Sequence, residues 1–173
     1  MNLIITCSRN FEEEASNEIS DILQILGDDK AAVKNSEFSG IVIVDTSLDP
    51  FEAIDKIRKK ILDEPWSIRY CHRFIPIHES THTTLDAIVR SVQKHVNNMQ
   101  ADDSYRITIE KRGSELSSKE IINSIAEIIR NKVSLEEYDW NIMIEIIGNV
   151  TGVSVLKDQD IVSTLKLKRD SIE

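Results

Sequence analysis

The chain has 173 residues, 30 Asp and Glu against 21 Lys and Arg, and a formal net charge of −9. That length buries a real core as one large or two small domains, and we read two. No run of about 18 apolar residues exists that could span a bilayer, and "MNLIITCSRNFEEE" lacks the basic leader and apolar segment of a secretory signal, so a cytoplasmic protein is expected.

"LIITCSR" (3–9) is a mostly β-branched run that predicts a buried strand. After it, Ala15, Ile19, Ile22, Leu23 and Leu26 recur at helical spacing, with Asn10 placed to cap that helix and Gly27 to end it. A weak strand near "AAVKNSEF" and a strong one at "GIVIVDT" (40–46) follow. Pro50 then opens an amphipathic helix, "PFEAIDKIRKKIL", at a position where its missing N–H costs nothing. "SIRYCHRFIPI" (67–77) closes the unit as a strand. Strand-helix-strand-strand-helix-strand is the ferredoxin-like order.

The second half starts at the Thr81 to Thr84 cluster, which caps a helix with the apolar stripe Leu85, Ile88, Val89, Val92, Val96 and Met99. A strand at 105–112, a helix from 118 to about 133, and strands at 142–147 and 150–156 complete it. Gly148 and Asn149 form a two-residue hairpin loop. The expected division is therefore a ferredoxin-like domain at 1–79, a second α/β domain at 80–160, and a C-terminal tail at 161–173, where no period is visible.

Charge is unevenly spread. Residues 11–64 hold fourteen acids against six Lys and Arg, whereas residues 65–119 hold six acids against eight Lys and Arg and all four histidines. A polyanion would be drawn to the middle of the chain. There, strand 105–112 runs through Lys111, Arg112 and Gly113 into a helix start. Ser117 with Glu120 makes a capping box, and Leu116 can staple onto Ile121. The first-turn N–H groups of Ser118, Lys119 and Glu120, with the helix dipole, make this junction a candidate phosphate site. Arg69 and Arg73, four apart on the strand read at 67–77, would share one face about 13 Å from each other. Trp66, just before, reads as a core or edge plug.

Catalytic signatures are missing: the sequence has no GxxxxGK, GxGxxG, GxSxG or CxxC. Cys7 and Cys71 read as buried thiols in strands rather than a disulfide. His72, His78, His82 and His95 have no metal-ligand spacing. No catalytic residue, metal or cofactor is expected.

From "RYCHRFIPI" through "THTTLDAIVRSV", "SYRITIEKRGSELSSKEIINSIAEII", "NIMIEIIGN" and "TGVSVLK", the second half resembles a THUMP domain, the RNA-binding module of several tRNA-modifying proteins. The likeness is nearest to the stand-alone THUMP adaptor family that assists tRNA cytidine acetylation. It rests on Arg69, Arg73 and "FIPI", on Lys111 and Arg112, and on "GVSV" at 152–155, although the Asn-Pro-Asp-like turn of relatives is reduced to Asp139 in "YDWN". The resemblance implies tRNA as partner, held by its acceptor end along the strand-helix loop and the last strand, which adds Gly152 and Ser154 to the RNA-binding set. It also implies a separate tRNA cytidine acetyltransferase, which supplies the chemistry that forms N4-acetylcytidine; the alternatives are an RNA-binding adaptor for another tRNA-modification enzyme, or an acidic protein–protein interaction module without RNA binding, in which Lys111 and Arg112 are merely solvated.

Overall fold

A computed structural model describes residues 1–172. The chain divides into two compact units, Met1–Pro76 with Gln159–Glu173, and Ile77–Asp158.

The first unit starts with β1 (Leu3–Cys7), α1 (Glu12–Ile25), β2 (Ala32–Asn35), β3 (Ile41–Asp45), α2 (Pro50–Asp63) and β4 (Cys71–Pro76). Its strands lie in the order β4-β1-β3-β2, every neighbour antiparallel, which is the ferredoxin-like sheet that the element order predicts. Ile5, Val42 and Phe74 pack from the sheet against Ala15, Ile19 and Leu23 of α1 and Ile54, Ile57 and Ile61 of α2. Gly40 is required where it stands: its φ is +79°, and a Cβ there would meet the Cys7 carbonyl oxygen at 2.9 Å.

Asn10 does not cap α1. It takes a left-handed turn, φ +70°, and the helix starts after Phe11 with no side-chain cap. Glu12 instead accepts the Gly40 N–H at 2.7 Å, so a long-range bond takes the place of a local one. At the other end Gly27 N–H donates to Gln24 O (3.1 Å) and Asp28 N–H to Leu23 O (2.8 Å), the paired closing bonds of a glycine-terminated helix. α2 follows its sequence signal, with the Asp49 carboxylate accepting from Phe51 and Glu52 N–H and Pro50 in its first turn.

The strand read at 67–77 is shorter. Residues 65–67 form a 3-10 turn, Ile68 is buried, and pairing with β1 starts only at Cys71. The shortening has a cause: the Glu18 carboxylate of α1 accepts the successive N–H groups of Arg69 (2.8 Å), Tyr70 (3.1 Å) and Cys71 (2.9 Å), which holds that stretch outside the β ladder.

The second unit contains β5 (Glu79–His82), α3 (Leu85–His95), β6 (Ser104–Arg112), α4 (Ser118–Ile128), β7 (Lys132–Val133), β8 (Trp140–Ile147) and β9 (Val150–Leu156). The order is β5-β9-β8-β6-β7, with β8, β6 and β7 parallel to one another and β5, β9 and β8 antiparallel. Both helices cover one face, where Ile88 and Val92 of α3 and Ile121 and Ile125 of α4 meet Tyr105, Ile142, Ile144, Ile146, Val153 and Val155. α4 stops five residues short of the expected end. Ile129 turns extended (φ −115°, ψ 122°), and Lys132–Val133 then pairs with Ser104–Tyr105 as a parallel edge.

Residues 161–173 were expected to be a tail, but the described part, through Ile172, is folded. Val162–Ser163 forms β10, an outer strand paired antiparallel to Phe74–Arg73 of β4, and Thr164–Asp170 forms α5. Val162 is 1% exposed, Thr164 donates to Cys71 O (2.9 Å), and Lys168 Nζ donates to Ile68 O (2.6 Å). A strand of two residues leaves too little sequence for a period-2 signal, which is why it is not legible there. Among the described residues no helix is long and apolar enough to cross a membrane.

Candidate nucleic-acid interface

β6 alternates Tyr105, Ile107 and Ile109 toward the helices with Arg106, Thr108, Glu110 and Arg112 on the other face. Lys111 continues the helix-side row beyond the core, where its ammonium donates to Leu116 O at 3.0 Å, immediately before α4. Gly113 (φ +66°) turns the chain out of the strand, and Ser114 Oγ accepts the Leu116 N–H (3.1 Å). Ser117 Oγ then accepts the Glu120 N–H (3.3 Å) as the capping signal predicts, and Leu116 joins the core cluster that holds Ile121.

The same end of the sheet collects two more features. The β8–β9 turn lies beside the end of β6, with Gly148 N–H donating to Arg112 O (2.8 Å). Asn149 O accepts the Thr83 N–H (3.1 Å), and Thr84 caps α3 by accepting the Ala87 N–H. The N-termini of α3 and α4 therefore open at one end of the sheet, around the Arg112–Gly113 and Gly148–Asn149 turns. Two positive dipole ends and their first-turn amides favour an anion there. The side chains are mixed in sign: Lys111 and Lys119 are exposed, and so are Glu115 and Glu120. With Asp86 exposed in the first turn of α3 as well, net charge gives no attraction there, and what favours an anion is the backbone amides, the dipoles and the individual lysines.

Arg112 is not a solvated loop cation. It is the last residue of β6, 23% exposed, and its Nη1 lies 2.8 Å from Oε2 of Glu145, which is 1% exposed on β8. Ser118 is half-buried and Lys119 exposed on the first turn of α4. Gly152 and Ser154 lie inside β9, paired with Glu145 and Met143; both are buried, and Ser154 Oγ lies 3.3 Å from His78 Nδ1. The expected set thus separates. Lys111, Arg112, Gly113, Ser118 and Lys119 meet at one junction, whereas Gly152 and Ser154 lie within the sheet.

Arg69 and Arg73 belong to the other unit and do not form a row. Arg69 precedes the strand, exposed, its guanidinium carbon 6.0 Å from the centre of the Tyr70 ring, and Arg73 sits half-buried within β4 opposite Ser163. Trp66, read as a plug, is 73% exposed. The α5 cations Lys166, Lys168 and Arg169 escaped the sequence reading, and Lys168 stands beside the Ile68–Arg69 segment.

Burial and the nearby carboxylates Glu12 and Glu14 push the Cys7 thiol up to about 11, and burial pushes Cys71 higher still, so both stay protonated near neutral pH. The Glu79 carboxyl is held below its ordinary range by the Ser91 hydroxyl, with Lys94 and His95 adding to the effect.

Residues 82–156 match the THUMP domain family. A THUMP domain is present. Its matched span runs from the last residue of β5 through β9, so the junction at 111–119 and both helix N-termini fall inside it. The whole chain is 26% identical to the uncharacterized protein MJ0421 of Methanocaldococcus jannaschii and covers 46% of that protein. Three solved structures share the fold. PH1313 of Pyrococcus horikoshii has a TM-score of 0.65 at 22% identity, over 91% of this chain and 55% of that one. TrmN of Thermus thermophilus gives 0.57 at 12%, over 90% and 45%. A 4-thiouridine synthetase, in a complex with RNA and ATP, gives 0.56 at 13%, over 94% and 42%. The chain spans about half the length of the proteins it matches.

Proposed function

We propose that the chain is a tRNA-binding component of a tRNA-modification system. In this reading it acts as a non-catalytic adaptor that presents tRNA, by its acceptor end, to a separate acetyltransferase forming N4-acetylcytidine. The observation that carries RNA binding is the THUMP match at 82–156, laid over a sheet end where two helix N-termini, Lys111 and Lys119 converge. A single-stranded acceptor end suits that geometry, because amides and dipoles can hold successive phosphates without reading bases. The fold shared with a 4-thiouridine synthetase solved with RNA supports the same ligand class. The acetylation step rests on the resemblance carried by Arg69, Arg73, Lys111, Arg112 and the "GVSV" strand.

A second reading keeps the tRNA and changes the reaction, and one observation favours it: the solved structures of like fold include a 4-thiouridine synthetase. One experiment separates the two. Nucleosides of tRNA from cells lacking the protein are analysed by mass spectrometry. Loss of N4-acetylcytidine alone supports the acetylation adaptor, and loss of a different modified nucleoside supports the second reading. In reconstitution, the purified protein with tRNA and acetyl-CoA should yield no acetylcytidine until the acetyltransferase is added; product without it overturns the adaptor role.

A further inference from the structure

We propose that a groove on the first unit, between α1 and the chain entering β4, docks a cationic, extended segment of a protein partner that carries an apolar anchor. The groove has a volume of about 450 Å³. Ile22 and Tyr70 line it, Ile25 stands in it 69% exposed, and the exposed carboxylates of Glu14 and Asp21 border it. Trp66, 73% exposed, adjoins Ser67, another lining residue.

The walls are fixed before anything binds. Glu18 ties α1 to the opposite wall through the N–H groups of Arg69, Tyr70 and Cys71, and the Tyr70 ring is stacked on Phe11 with centroids 5.6 Å apart. A preformed groove with apolar contacts at Ile22, Ile25 and Tyr70, and an exposed tryptophan one residue from its Ser67 edge, is the kind of surface on which binding energy concentrates. Charge selects the occupant. Its charged lining residues are Glu14, Glu18 and Asp21 against Lys60, a balance that repels a phosphate backbone and attracts basic peptide, with the exposed Arg69 next to Tyr70 at its edge. Among the described lining residues the cation is Lys60, which pairs with Glu64 at 3.4 Å. Glu14 and Asp21 are seven residues apart on one helix face, about 10 Å along the axis. A partner segment in the extended polyproline II conformation rises about 3.1 Å per residue with three residues per turn, so side chains three apart point the same way and span about that distance, and its basic residues should recur at that spacing.

The groove lies wholly in the first unit, so its occupancy does not depend on the RNA-binding reading. The test uses the whole protein, isotope-labelled for NMR, with a short capped peptide of Arg, Leu and Gly whose arginines are three apart. A counterpart with Glu for each Arg and, separately, tRNA complete the set. Trp66→Phe assigns the Trp66 indole resonance against that of Trp140. The arginine peptide should shift the Trp66 indole and the amides of 14–25. Glu14→Lys with Asp21→Lys, both at exposed positions, should weaken its binding about tenfold or more, and Ile25→Ser should weaken it as well. The glutamate peptide should leave these resonances in place. The proposal is overturned if the arginine peptide moves none of them, if both peptides bind alike, if charge reversal changes nothing, or if tRNA shifts the same resonances and displaces the peptide. A tRNA that leaves every resonance unmoved while the peptide binds would sink the RNA reading and keep the groove.

Discussion

Arg112 shows how a residue's role is decided by its neighbour across the sheet. In sequence, "EKRGSEL" looks like a charged turn; in the fold, Glu145 of the adjacent strand takes the guanidinium out of solvent. Nothing local to 105–116 announces Glu145, because the pairing depends on a register thirty-three residues away. Arg112→Met should therefore destabilise the second unit by about 3 kcal/mol, since it removes the guanidinium from beside a buried carboxylate. Adding Glu145→Gln should recover part of that loss, whereas Lys111→Ala should stay within about 1 kcal/mol. Denaturant midpoints of the four proteins check this. Asp28 is a second such residue: 3% exposed, it accepts from Thr46 Oγ1 (2.5 Å) and Ser47 N–H (2.7 Å), and the Thr46 hydroxyl foremost holds its carboxyl below the usual range. A depressed folded pKa gives stability that is complete above the unfolded value of about 3.9 and is lost as pH falls through the folded value. Wild type should lose stability as pH falls below about 4 more steeply than Asp28→Asn, as measured by denaturation at each pH.

At the scale of elements, the strongly periodic segments are legible in the sequence and the short polar ones are not. α1, α2, α3, β3, β6, β8 and β9 follow apolar runs or stripes that the core then buries. β5 escapes because "ESTH" offers no apolar residue, and its hydrogen bonds to β9 alone define it. β7 escapes because the "IIRNKV" run continues a helical pattern, while Asn131 Nδ2 donates to Gln100 O (2.7 Å) and Asp103 O (2.9 Å) and pins the chain at the strand start instead. β10 and α5 attach the last described stretch to β4 through Val162. Val162→Ala should cost the first unit about 2 kcal/mol in the denaturant midpoint. Ser117→Ala, which removes the cap of α4, should cost about 1 kcal/mol.

At the scale of the molecule, an acidic chain of net charge −9 binds a polyanion only if attraction is local. In the proposed function that locality comes from α3 and α4 opening at one end of the THUMP sheet with Lys111 and Lys119 beside them. The junction itself was legible from the strand, the glycine and the capping box. The second helix N-terminus and the β8–β9 turn beside it were not, because only the three-dimensional pairing brings them there. The proposed function requires tRNA phosphates to bind at this end, and the salt dependence of tRNA binding tests it most directly. Replacing Lys111 and Lys119 with alanine should weaken tRNA binding and flatten the slope of log affinity against log salt by roughly 1.4, about 0.7 for each lost single-strand phosphate contact. An unchanged slope with unchanged affinity, or no tRNA retained by the wild-type protein at low salt, would contradict it.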